Sequence, residues 1–181
     1  ALASEGPKAG PVTVSQLITQ IQETPRGWER LTMGGAATDG LKTGLVKFDQ
    51  LTGGLHKGEV TIIAGRPGMG KTALVTTIVR NICQASSAPV VFTLEMSKEA
   101  ILARLVVALA RVDNQKYRLG LLNEEERLRT LRAIDEINSN WKLVLDSDAY
   151  TIEEMAARIE RIKAVQPVHS VWIDYLQLMG G

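Results

Sequence analysis

The chain has 181 residues, enough for one domain with a real core and too few for two large ones. Its hydrophobic share of 45% and charged share of 23% are an ordinary globular mixture, and a net charge of +1 points to neither nucleic acid nor an anionic membrane. The lone Cys83 can make no internal disulfide or metal cluster, no run approaches the roughly 18 apolar residues of a membrane span, and ALASEGPKAG lacks signal-peptide order, so the expectation is a soluble, cytoplasmic protein.

Residues 1–11 are small and rich in Gly and Pro, and read as a flexible lead. Val14, Leu17, Ile18 and Ile21 then fall at i, i+3, i+4 and i+7, predicting an amphipathic helix with a Thr13–Gln16 capping box, stopped near Pro25. That helix could pack on its own domain or dock on a neighbouring subunit. Gly34 to Gly40 reads as a loop. Leu45, Phe48 and Leu51 share one face of a short helix that Thr43 would cap and Gly53–Gly54 would end.

From there strands and helices alternate. Val60–Ala64 is a buried-strand run, followed by a helix from about Gly70 to Cys83. Val90–Leu94 is the next strand, and its following helix carries Ile101, Leu102, Leu105, Val106 and Leu109. A further helix starts at Asn123 with Glu126 in capping-box position and bears Leu128, Leu131, Ile134 and Ile137. Leu143–Leu145 is a third strand. Thr151 and Glu154 box the helix of Ile152, Met155, Ile159 and Ile162, and Val171–Ile173 is the fourth strand. Such alternation predicts an α/β fold with a mostly parallel sheet and flanking helices. His56 and His169 have no ligand-like spacing and read as turn or strand-edge residues. The charged stretches Asn123–Arg132 and Glu153–Lys163 have the pattern of solvated helix faces.

Between the first strand and its helix lies Gly65-Arg66-Pro67-Gly68-Met69-Gly70-Lys71-Thr72, a match to G-x-x-x-x-G-K-[ST] in the context that motif requires. Its glycines let successive backbone N–H groups turn toward one phosphate, and the helix N-terminus, with Ala73 in its first turn, reinforces them. Lys71 places a compact cation on the outer phosphates, and the Thr72 hydroxyl is suited to Mg²⁺. The pattern implies a purine triphosphate without saying what its energy drives.

In parallel sheets ligands bind beyond the carboxyl ends of the strands. Asp174 arrives there after Val171–Ile173 and suits the Mg²⁺ side of a triphosphate site. Glu95 arrives after Val90–Leu94; it could orient an attacking water, or simply favour the helix N-terminus that begins near Ser97.

FTLEMS (Phe92–Ser97), the GRPGMGKT loop and IDYLQLM (Ile173–Met179) together resemble the bacterial replicative DNA helicases of the DnaB family, and TGLVKFDQLTGGL (Thr43–Leu55) is similar to the segment before their phosphate loop. The resemblance implies a RecA-like ATPase fold in a hexameric ring around single-stranded DNA, with ATP and Mg²⁺ between subunits and primase and loader proteins as partners. Gly65–Ala73 would bind ATP, Lys71 and Glu95 would be catalytic, and Thr72 and Asp174 would hold the metal. Residues 12–34 would be the linker-helix region that packs on the adjacent protomer, and 35–181 the amino-terminal part of the motor. A sensor strand, DNA loops and an arginine finger would follow the last strand in that family, and none has sequence here. The sensor strand lies between the last strand and the phosphate-loop strand in that fold, so two strands of this chain would lack a partner. Other readings are a short nucleotide-binding or regulatory module without unwinding activity, or a RecA-like ATPase of the recombination or clock type.

Overall fold

The computed structural model describes residues 11–25, 27–32 and 40–174; the lead over 1–10, the loop over 34–39 and the segment after Asp174 lie outside the described residues. The helices are Val14–Gln22 (α1), Gly27–Thr32 (α2), Val46–Thr52 (α3), Lys71–Gln84 (α4), Lys98–Ala110 (α5), Asn114–Arg118 (α6), Glu124–Asn140 (α7) and Ile152–Lys163 (α8). Three strands, Pro89–Thr93 (β1), Val144–Asp146 (β2) and Ser170–Asp174 (β3), form a parallel sheet in the order β2-β1-β3. β1 is buried at every position. A middle strand covered on both faces has no solvent side to make polar, and PVVF is the result.

Alternation along β1 divides the core. Val91 points to one face, where Val79 and Cys83 of α4, Ile101 and Leu105 of α5, and Trp141 close over it. Val90 and Phe92 point to the other, against Ala149 in the loop after β2 and Met155 of α8. Burying a side chain such as Phe92 contributes roughly 2–3 kcal/mol. Burial also pushes the Cys83 thiol up to about 12, so it behaves as a small hydrophobe. Helix entry is fixed locally. The capping boxes Thr13–Gln16, Asn123–Glu126 and Thr151–Glu154 are all formed.

Four expectations need correction. Val60–Ala64 is not a strand: it pairs with none of the described residues, and Val60 and Ile62 are 88% and 72% exposed. A strand exists only through its partner, and β3 pairs on its described side with β1 alone. The fourth expected strand therefore closes a three-stranded sheet. On α7 the apolar stripe is misassigned, since Leu128, Leu131 and Ile134 are exposed while Glu126, Thr130 and Ala133 are buried. Small Thr130 and Ala133 sit on the packed face, and Glu126 is tolerated there because it accepts from the Asn123 N–H at 2.9 Å and pairs with Lys116 at 3.2 Å. Likewise Leu51, Leu102 and Ile152 are exposed despite their place in the pattern. Finally, Leu45, not Thr43, stands at the N-cap of α3, without a side-chain cap. α2 and α6 were not anticipated, although Asp113 caps α6 by accepting from the Lys116 N–H.

Thr43 instead belongs to a turn organised by Asp49. Its N–H and hydroxyl both donate to Asp49 Oδ1, at 2.9 and 2.8 Å, and the Gly44 N–H donates to Oδ2 at 2.9 Å. The Asn81 side chain then donates to the Thr43 carbonyl at 2.9 Å, fastening this turn to α4. Gly44 has φ +76°, and a Cβ there would collide with Asn81. Burial alone would raise the Asp49 carboxyl, but the Thr43 and Gly44 donors and nearby Lys42 outweigh it and hold it below the usual carboxylate range. A depressed folded-state value gives stability that is present above the unfolded value and lost as pH falls through the folded one. Asp49→Asn is accordingly expected to cost about 1 kcal/mol near neutral pH, and the difference from the unaltered protein should shrink as pH falls below about 3.9. Urea titrations at neutral and acidic pH measure both; an equal cost at the two would refute the ionic role.

Candidate functional site

Residues Gly65–Thr72 make the turn into α4. The Met69 N–H donates to the Arg66 carbonyl at 3.2 Å, and Gly68 and Gly70 adopt φ of +76° and +85°. Gly70 is the N-cap of α4 and offers no side-chain acceptor. The helix's first N–H groups, at Lys71, Thr72 and Ala73, therefore lack an intrahelical partner, which is the arrangement that favours an anion. Nothing lies within 4 Å of a Cβ built on Gly68, so that side of the loop is open. Arg66, Pro67 and Met69 are exposed on it. Lys71 Nζ donates to the Gly65 carbonyl at 3.1 Å, holding its ammonium across the loop on a neutral acceptor that an oxyanion would readily displace.

The two carboxylates come from adjacent parallel strands. Thr93 of β1 is in register with Asp174 of β3, and the Leu94 N–H donates to the Asp174 carbonyl at 2.8 Å. Glu95 follows one residue later, exposed in the bend before α5. Asp174 is 5% exposed and borders a narrow, mostly apolar crevice of about 10 Å³, lined also by Thr72, Val75 and Thr76 of α4 and by core residues such as Val79 and Leu105. Thr72 and Asp174 thus border one crevice, and Glu95 stands at the neighbouring strand tip.

Asp146 carries the same sequence signal as Asp174, an aspartate ending an apolar strand, and the sequence reading passed over it. Its chemistry is already committed. Arg158 Nη1 donates to Asp146 Oδ2 at 2.6 Å, and the Asp148 N–H donates to Oδ1 at 2.8 Å. Lys98 pairs with Asp148 at 3.1 Å, joining the loop after β2 to the start of α5. Among the described residues Asp174 has no such partner, and no cluster of three or more His, Cys, Asp or Glu side chains could hold a metal by itself. That suits Mg²⁺, which is usually held by one or two protein oxygens plus phosphates and water. The loop with open N–H groups, the bridging ammonium, and a buried carboxylate without a partner among the described residues fit a Mg²⁺-triphosphate.

Residues 40–181 match the family model described as the DnaB-like helicase C-terminal domain. The chain is 34% identical to the replicative DNA helicase DnaB of Synechocystis sp. over 184 residues, covering 99% of this chain and 20% of that protein. Against the DnaB of Rickettsia conorii the figures are 30% over 191 residues, 99% and 38%. A probable replicative DNA helicase of Trieres chinensis is 37% identical over 142 residues. The chain thus spans well under half the length of these relatives. Two solved structures superpose with a TM-score of 0.78 at 24% identity over 94% of the chain: the ATPase domain of G40P and a DnaB-like replicative helicase studied with primase. Their likeness shows that the chain shares the fold of these two domains.

Because Gly70 combines a left-handed φ with a Cβ position that meets only Ala73 Cβ at an ordinary 3.9 Å, Gly70→Ala tests backbone conformation without a clash. The expected cost is about 1 kcal/mol of stability, read from thermal or urea unfolding. An unchanged midpoint would show that the loop does not need the left-handed turn.

Proposed function

The chain belongs to the DnaB-like helicase C-terminal domain family, and from that premise we propose that it is the ATP-binding and ATP-hydrolysing part of a ring-forming replicative DNA helicase. The observation that carries the reading is the placement of buried Asp174 at the carboxyl end of β3, bordering the same narrow crevice as Thr72 at the start of α4, with the competing strand-end carboxylate Asp146 tied off by Arg158.

In this proposal the N–H groups of Gly65–Ala73 cradle the phosphates and Lys71 neutralises the outer ones. Thr72 and Asp174 hold Mg²⁺. When bound, the ion would neutralise charge on the β- and γ-phosphate oxygens. Glu95, exposed beside that edge and free of other hydrogen bonds among the described residues, orients a water for in-line attack on the γ-phosphorus and accepts its proton. Catalysis then rests on positioning and electrostatic stabilisation, as phosphoryl transfer generally does.

The wider assignments belong to the same proposal: translocation on single-stranded DNA, a homohexameric ring, cytoplasmic location, and primase and loader partners. α1 supports the ring, because Val14, Leu17 and Ile18 are all exposed on a well-capped helix and would pack on the adjacent protomer as part of a linker region over 12–34. No helix among the described residues is long and apolar enough to cross a membrane.

In the full-length protein, Lys71→Ala should slow ATP hydrolysis by on the order of 10²-fold or more, since a preorganised charge contact is lost. Near-normal turnover would mean the site is misplaced. Glu95→Gln should still bind ATP but lose hydrolysis and single-strand-stimulated strand displacement. A nucleotide-binding module of another kind would instead show ATP binding in the unaltered protein with no displacement of a labelled strand.

A further inference from the structure

We propose that Thr93 is the positioning residue for Glu95; the inference rests on the proposed role of Glu95 and extends it to the group that holds it. Glu95 makes no hydrogen bond of its own among the described residues, so its direction is set by the bend over Leu94–Met96. That bend is fixed at two points. On one side the Leu94 N–H donates to the Asp174 carbonyl at 2.8 Å. On the other, the Thr93 hydroxyl reaches over the bend and donates to the Met96 carbonyl at 2.7 Å. Thr93 is 1% exposed, so water does not compete for this bond.

The geometry gives the hydroxyl a defined task. The chain leaves β1 at Thr93 and enters α5 after its N-cap Ser97, whose side chain is occupied with the Ala100 N–H. Between those points the Thr93–Met96 bond is the side-chain hydrogen bond that closes the turn, and the Met96 side chain packs against the core below. Without it the bend would remain tethered at Leu94 but could open at Met96, swinging the Glu95 carboxylate relative to Asp174. Small displacements of a catalytic group cost rate far more than they cost binding. Among the described residues the Thr93 hydroxyl bonds no phosphate-loop residue, so nucleotide affinity should be insulated from the change.

The test compares Thr93→Val, which keeps the shape and removes the hydroxyl, with Thr93→Ser, which keeps the hydroxyl and removes the methyl, in the full-length protein. Glu95→Gln serves as the reference. Thr93→Val is expected to lower kcat for ATP hydrolysis about tenfold or more, with KM and the affinity for a fluorescent ATP analogue within about twofold; Thr93→Ser should restore most of the rate. Equal loss in the Val and Ser variants would assign the effect to packing and overturn the proposal. So would a Val variant that turns over normally while Glu95→Gln is inactive. If Glu95→Gln itself turns over normally, the catalytic assignment of Glu95 fails instead. Intact nucleotide affinity in the Val variant shows that it folds; should it not fold, loss of turnover in Thr93→Ser equal to that of Glu95→Gln would refute the hydroxyl's role.

Discussion

β1 has a hydrogen-bonded strand on each side and a packed helix layer over each face, and the carboxyl edge of the sheet inherits its geometry from that position. Its register with β3 sets Thr93 opposite Asp174, and its register with β2 sets Phe92 opposite Asp146. Three acidic side chains therefore reach one edge of the molecule at fixed spacing without any of them specifying it. Because strand side chains alternate faces, a slip of one residue between β1 and β3 would turn Asp174 away from Thr72 and put Ile173 in its place. Val91 packs in one core layer and Val90 and Phe92 in the other, so a shift of β1 by one residue would set each against the wrong layer.

The edge shows how environment sorts chemically identical groups. Asp146 and Asp174 both end apolar strands and are both buried. One is neutralised by Arg158 and accepts a local N–H, and through Asp148 and Lys98 it becomes part of the frame. The other has no partner among the described residues and borders the same crevice as Thr72 at the start of α4. A carboxylate already paired in a partly buried bridge is a poor metal ligand, because taking it would strand a guanidinium. An uncommitted one beside a helix N-terminus is a good one.

Much of this was legible in the chain. The phosphate-loop residues, the capping boxes, and the apolar runs of β1 and β3 are local signals, and local signals survive into the structure. The failures are nonlocal. Whether Val60–Ala64 becomes a strand depends on what lies beside it, which no property of those residues encodes. On α7 the helical period was right but the packed face was not: Ala133 and Thr130 permit close approach to α5, while the larger Leu128 and Leu131 face out. The Thr93 hydroxyl was invisible for a related reason. A threonine ending a strand is unremarkable until its partner across the bend is known.

The run at Val60–Ala64 has a practical side. It is a short, uncharged, β-branched sequence whose Val60 and Ile62 side chains and backbone groups face solvent. Such a run is a template for any strand with a free edge, including the same run in another molecule. Those five residues thus offer backbone for strand addition irrespective of the chain's net charge of +1. A lysine at an outward position of the run would blunt that edge, as charged side chains do on natural edge strands.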